Sequence, residues 1–252
     1  IAPAFIVSAS YEHYMRALCQ ALEFPFENSY CTRVNIDKYS MRKDEREELK
    51  LMAREIAQMP MFDLLSEAEC LDDLPKEDQR TVMRLDAVFW DRIAEMEIGR
   101  IYSEVDPVGG GEKAEVVEGI VHKLGVGVSD VMYVGDSITD EEAFKLVKKK
   151  GGLTVSFNGN QHAVRNVEIA VLSEDSTVTA IVADVFIKFG KQAVLDLVEN
   201  WSRKALQEGL ADQTLVDRLF EVYPGRLPKV KIVTDGNRES LAEESSLFRV
   251  KL

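Results

Sequence analysis

The sequence predicts an α/β protein built on a doubly wound parallel sheet, with a helical insertion and a mostly helical C-terminal extension. Three observations carry that expectation. Short apolar runs stop abruptly at Ser, Gly or Asn. Amphipathic helical patterns separate those runs with tight connections, as parallel strands require. Between residues 37 and 107 the strand signal disappears and charged helical periodicity replaces it.

In chain order, Ala4–Val7 reads as a short buried strand and Ser8–Ser10 as the turn after it. Tyr14, Leu18, Ala21 and Leu22 then recur at helical spacing. Tyr30 to Ile36 alternates and is rich in β-formers, a second strand. Leu49, Met52 and Ile56 mark one amphipathic helix ending near Pro60. Val82, Leu85, Phe89, Ile93 and Met96 mark another that opens after Pro75, with the loop Cys70–Pro75 between them. The glycine run Gly109–Gly111 precedes a helix from about Glu112 to Leu124. A strand at Val131–Val134, a helix at Glu141–Lys149, a strand at Leu153–Phe157 and a strand at Glu168–Leu172 follow. After Thr177 the pattern is helical, with a last strand at Lys229–Thr234 and an apolar-basic alternation over Leu247–Leu252. The expected division is a core of residues 1–36 and 108–187, an insertion or cap at 37–107, and an extension at 188–252.

Composition narrows the function classes. Apolar residues at 46% and charged residues at 30% are ordinary for a globular protein that buries a core. A net charge of −13 repels phosphate backbones, so no nucleic-acid partner is expected. No apolar run reaches the length of a membrane span, and Ile1–Val7 lacks a basic leader. Cys19, Cys31 and Cys70 are odd in number and without metal-type spacing, which points to buried thiols of a reducing cytoplasm. The chain opens with Ile1 close to a strand and stops within an alternating segment, so it reads as a piece of a longer protein.

The strongest chemical signal is Val131-Met-Tyr-Val-Gly-Asp-Ser-Ile-Thr-Asp140. An apolar strand ending at Gly135 delivers Asp136 and Asp140 to its carboxyl end, where open α/β sheets place ligand sites. Two carboxylates there suit a hard cation, Mg²⁺ above all. Read locally, Asp136 is also an ordinary turn residue and Asp140 an ordinary helix-start acid. Lys113 opens a helix against the dipole, an arrangement that calls for a compensating anion. Gly125 and Gly127 follow a helix and precede a strand, the reverse of a dinucleotide-binding context.

In order and context these residues resemble the haloacid-dehalogenase-like phosphohydrolases. Phe5-Ile-Val-Ser8 is similar to that family's second motif, Gly-Gly-Glu-Lys113-Ala-Glu to its third, and Gly135-Asp-Ser-Ile-Thr-Asp140 to its fourth. Glu112-Lys-Ala-Glu-Val-Val and Tyr133-Val-Gly-Asp-Ser resemble the phosphoserine-phosphatase-like branch, and within it a group of archaeal members with a similar Phe-Asn-Gly-Asn turn. The resemblance covers roughly residues 1–187. It implies an Mg²⁺-dependent phosphatase of a small phosphorylated metabolite, working through an aspartyl-phosphate. Asp136 would ligate Mg²⁺, and Asp140 would ligate through water or orient its neighbours. Lys113 would bridge nucleophile and phosphate, Ser8 would hydrogen-bond a phosphoryl oxygen with Ser10 competing for the role, and Asn158 would sit in the substrate-binding turn.

One departure is large. The family's first motif, an Asp-x-Asp on the strand before the second motif, is absent, because only four residues precede Phe5. The nucleophile, the general acid and the principal metal carboxylate are therefore missing from these 252 residues. A non-catalytic subunit derived from this family is the alternative reading. A phospho-aspartate signalling receiver shares acids and a lysine, but is half this size and places the lysine after the acids.

Overall fold

The computed structural model describes residues 2–61, 68 and 70–252. The part of the expected insertion at 62–67 and 69 lies outside the described residues. The protein is a mixed α/β fold of two compact units, residues 1–9, 28–30 and 108–252 in one and residues 10–27 and 31–107 in the other. Residues 10–27 and 31–36, expected in the core, thus group with the helical segment.

The chain begins with β1 (Ile6–Tyr11), α1 (Glu12–Ala21) and β2 (Ser29–Thr32), and β1 pairs with β2 in a two-stranded sheet. β1 runs four residues further than its apolar run suggests, to Tyr11, so Ser8 and Ser10 lie within the strand and not in a turn after it. Alternation puts the two serines on one face. β2 is shorter than expected, because the chain turns into a 3-10 helix at Ile36–Lys38. On α1 it is Met15 and Cys19 that are buried, while Tyr14 and Leu22 are exposed.

With α1, the described α-helices of the second unit are α2 (Lys43–Ala57), α3 (Lys76–Asp86) and the short α4 (Ile101–Glu104). Pro75 precedes α3 as its position predicts, but the helix widens to a π-helical stretch at Ala87–Ile93. Met15, Met52 and Val88 form its most buried apolar positions. Glu45, 2% exposed, accepts the Glu97 backbone N–H at 2.7 Å, so a buried carboxylate ties α2 to the chain after the π stretch.

In the other unit α5 (Gly111–Leu124), β3 (Met132–Gly135), α6 (Glu141–Lys149), β4 (Leu153–Phe157), α7 (Gln161–Asn166) and β5 (Ile169–Leu172) alternate as the sequence predicts. α8 (Thr177–Glu199), α9 (Arg203–Glu208), α10 (Gln213–Val222), β6 (Lys229–Ile232) and α11 (Arg238–Arg249) follow. α8 is broken at Gly190, whose φ of 79° lies where glycine is favoured. The sheet order is β3-β4-β5-β6, with β3, β4 and β5 parallel.

β6 is antiparallel to β5, with Lys229 opposite Leu172, so the sheet is not parallel throughout. After α10 the chain returns at the carboxyl edge, and a strand entering there must run back down the sheet. Antiparallel edge strands of this kind are common on parallel sheets. β6 and the helices before it also bring residues 188–252 into the main core. Leu153, Val155, Ile169, Val171 and Val230 pack with Val185, Leu206 and Leu219 on one face. Tyr133, Phe144, Val147 and Ala163 fill the other. The terminal segment Leu247–Arg249, where the apolar-basic alternation begins, is the end of α11.

Candidate active site at the carboxyl edge of the sheet

Parallel strands end together, and β3, β4 and β5 finish at Gly135, Phe157 and Leu172. Gly135 is opposite Ser156 in register, which sets the loop after β3 beside the turn after β4. That loop is organised from within by Asp140. Its Oδ1 accepts from Lys113 Nζ at 2.7 Å and from Tyr133 Oη at 2.9 Å. Its Oδ2 accepts from the backbone N–H groups of Asp136 at 3.0 Å and Ser137 at 3.1 Å, and from Ser137 Oγ at 3.3 Å. Five donors saturate a carboxylate, which has about four lone-pair positions.

Glycine at 135 is a requirement of this packing, since a Cβ there would lie 2.5 Å from Asp140 Cγ. The T-shaped contact of Tyr133 with Phe144, at 5.4 Å and 89°, fixes the phenol that faces Asp140.

Lys113 and Asp140 are 6% and 4% exposed, so their pair is effectively buried. Burial pushes the Asp140 carboxyl up, but the hydrogen bond and charge of Lys113 outweigh it and hold the group below its ordinary value. Tyr133 is displaced upward, by burial first and by the Asp140 charge second, and stays a donor at all ordinary pH. Lys113 Nζ also donates to Thr139 Oγ1 at 3.1 Å. Two of its three protons are thus committed.

Asp136 is placed differently. Its side chain is half exposed, and Oδ2 accepts from Arg249 Nη1 at 2.8 Å. Arg249, from the end of α11, also donates to the carbonyls of Asp136 at 3.1 Å and Asn158 at 3.4 Å. The Asp136 carbonyl receives a second bond, from Asn160 N–H at 2.8 Å.

Asn158 has φ of 51° and is buried. Its Nδ2 donates to the Ser173 carbonyl at 2.7 Å, and its Oδ1 accepts from Ser173 N–H at 2.9 Å. That amide clamps the ends of β4 and β5 together with one N–H and one oxygen lone pair. The side chain thus has a structural task within the turn expected to bind substrate.

The structure therefore brings Lys113, Asp140 and the Asp136 loop together, as their order in the sequence implied. Ser8 and Ser10 are held in β1. Tyr133, Ser137 and Thr139 complete the site and stand inside the motif itself. Arg249 carried no signal at all, being one more charged residue on an amphipathic helix.

The fit of Mg²⁺ can be judged from the donor set. Among the described residues no three His, Cys, Asp or Glu side chains group as a metal site. Asp140 has no oxygen to spare, so of its two expected roles the orienting one matches its bonds. Asp136 Oδ1 accepts no hydrogen bond among the described residues, leaving one open carboxylate oxygen at the loop. Mg²⁺ is commonly held by one or two carboxylates with phosphate oxygens and water. Asp136 fits as one such ligand.

A separate cavity of 690 Å³ opens near the β5–β6 end, lined by Ser173, Arg203, Tyr223 and Lys229 among others. None of Lys113, Asp136 or Asp140 lines it. Of the cysteines, Cys19 and Cys31 are buried as expected, and Cys70 is exposed. No described helix is long and apolar enough to cross a membrane.

No family model matches the chain, and no curated protein matches it. Among solved structures, it is similar to gene product AF1437 from Archaeoglobus fulgidus, with a TM-score of 0.71 at 22% identity. The alignment covers 98% of this chain and 64% of that one, so the chain spans under two thirds of its structural neighbour's length. At that identity the likeness shows a shared fold and nothing of activity.

Proposed function

We propose that this chain carries part of the site of an Mg²⁺-dependent phosphatase of a small phosphorylated metabolite, on a doubly wound, haloacid-dehalogenase-like core. The observation that carries the reading is the buried Lys113 ammonium at the carboxyl end of β3. Asp140 pairs with it at 2.7 Å, and its third proton is uncommitted among the described residues. A phosphate ester dianion repels an approaching carboxylate, so positive charge must be fixed in advance where the two meet. Lys113 would hold a phosphoryl oxygen. Asp136 Oδ1 would hold Mg²⁺, which when bound supplies charge neutralisation at the phosphoryl group.

The reading assigns nucleophilic attack to an aspartate on a strand beside β3 that these residues do not contain. Its carboxylate oxygen would bond to phosphorus as the ester P–O bond breaks, and water would then release phosphate from the aspartyl-phosphate. In support, β3 pairs with β4 alone among the described residues, so its other edge is unpaired within the sheet.

The test is hydrolysis of phenyl phosphate with Mg²⁺, using the protein together with whatever segment precedes Ile1 in its reading frame. Asp136→Asn is expected to lower turnover on the order of 100-fold, the scale of losing one preorganised charge partner. Full activity of the variant, or of the wild type in excess chelator, overturns the metal role.

A non-catalytic, phosphatase-derived subunit is the second reading. It is favoured by the way the charges close in pairs, Lys113 with Asp140 and Arg249 with Asp136. Absence of both turnover and Mg²⁺ binding would select it.

A further inference from the structure

Arg249 reaches the candidate site from the last helix of the chain, and only part of its guanidinium is used there. Nη1 makes all three of its bonds, to the Asp136 carboxylate, the Asp136 carbonyl and the Asn158 carbonyl. Among the described residues Nε and Nη2 donate to no acceptor, and the side chain is 45% exposed. The group is therefore pinned at one corner and open along its other edge.

The pinning is firm because α11 is firmly seated. Leu241 and Ala242 pack against Val164 and Ala170. Ser245 Oγ, fully buried, donates to the Gly159 carbonyl at 2.7 Å, in the same turn as Asn158. Arg165 pairs with Glu239 at the other end of the helix. Side-chain entropy that an arginine ordinarily loses on meeting a ligand has largely been lost on folding.

The Nε–Nη2 edge of a guanidinium matches two oxygens of one oxyanion, with parallel charge-assisted bonds. Here that edge stands at the carboxyl rim of β3 and β4, the side of a parallel sheet where ligands collect. Lys113 and Arg249 offset the charges of Asp136 and Asp140, so these four groups set no net negative charge against an anion, in a chain whose net charge is −13.

We propose that Arg249 is an oxyanion-binding residue of this site, its open Nε–Nη2 edge receiving a phosphoryl group or free phosphate. The inference rests on the reading of this rim as a phosphate site, and it adds a binding contact from a helix 113 residues away from Asp136. Asp136 then has two tasks on its two oxygens. Oδ2 orients Arg249, and Oδ1 remains available to a cation.

The test is calorimetric titration of the 252-residue protein with inorganic phosphate, and separately with phenyl phosphate, at low ionic strength. Arg249→Ala is expected to raise the phosphate Kd by about tenfold or more, since bonds to charged groups are worth that much. Arg249→Lys should fall between, because an ammonium keeps the charge and loses the fork. A matching loss for phenyl phosphate identifies the phosphoryl group of an ester as the ligand, and a loss for inorganic phosphate alone identifies the free anion. Near-ultraviolet circular dichroism checks that α11 stays packed in both variants.

Equal phosphate affinity in wild type and Arg249→Ala overturns the inference, as does absence of phosphate binding in the wild type. The phosphatase reading fails separately. Arginine-dependent phosphate binding without any ester hydrolysis keeps this inference and removes that reading, and hydrolysis with arginine-independent binding does the reverse.

Discussion

Asp140 shows how one side chain can hold a loop, a lysine and a tyrosine at once. Its five donors come from four residues, and three of those bonds close the Gly135–Asp140 loop on itself. The consequence for pH follows from its depressed pKa. A carboxyl that titrates lower in the folded state adds stability above its ordinary value of 3.8, and that stability is lost as pH falls through the lower folded value. Wild type should therefore lose stability on acidification below about pH 4, on the scale of carboxylate titration. Asp140→Asn should be less stable at neutral pH and should show a flatter acid limb in urea titrations. An acid limb of the same slope in both proteins would mean that Asp140 is not the linked group.

The buried pair makes a second residue-scale expectation. Removing one partner leaves an unpaired buried charge, which costs about 3–5 kcal/mol. Lys113→Met alone should approach that loss in chemical denaturation. Combined with Asp140→Asn, it should cost well under the sum of the two single changes. Strict additivity would refute the ion pair. Gly135→Ala is the geometric counterpart. With Asp140 Cγ only 2.5 Å from the new Cβ, a loss of about 1–3 kcal/mol is expected from overpacking. A thermal midpoint unchanged from wild type would show that the loop yields freely.

Elements supply the scaffold on which those residues meet. α6 lies beneath the loop, and its Phe144 is fully buried against Tyr133 and Val147. Truncation there should cost about 3–5 kcal/mol, as large-to-small changes of buried aromatics do. It should also free the Tyr133 ring, so Phe144→Ala is expected to broaden the ring signals of Tyr133 in NMR spectra. Sharp, unshifted Tyr133 signals would show that the edge contact is not what orients the phenol.

β3 makes a different demand. Its backbone pairs with β4 on one side, and Val134 remains 39% exposed. Amides of β3 directed away from β4 should exchange with solvent far faster than those of β4 and β5, which are paired on both sides. Uniform protection across β3 would show that something covers that edge.

At the scale of the whole molecule, the chain divides into two compact units. One is built on the four-stranded sheet, and the other includes the buried Met15, Met52 and Val88. Units of this kind commonly unfold in more than one transition. Gly135→Ala should displace only the transition of the sheet unit, as followed by calorimetry. A single transition that moves as a whole would show that the units fold as one.

Periodicity alone located α6 and β4 to the residue and α5, β3 and β5 to within one. Each of these elements carries its own burial pattern, and local pattern is what a sequence records. The loop Gly135–Asp140 was legible for the same reason, as were Lys113 and the two acids. What lay beyond reach were relations between distant segments. The antiparallel entry of β6, the commitment of Asn158 to Ser173 and the arrival of Arg249 at Asp136 all depend on where helices α8 to α11 return the chain. From α5 to β5 the sequence by itself determined which segments would be helices and which strands, because those follow from side-chain chemistry and spacing. Only the tertiary structure decided which oxygen of which carboxylate stays open, because hydrogen-bond saturation is a property of neighbours that folding alone brings together.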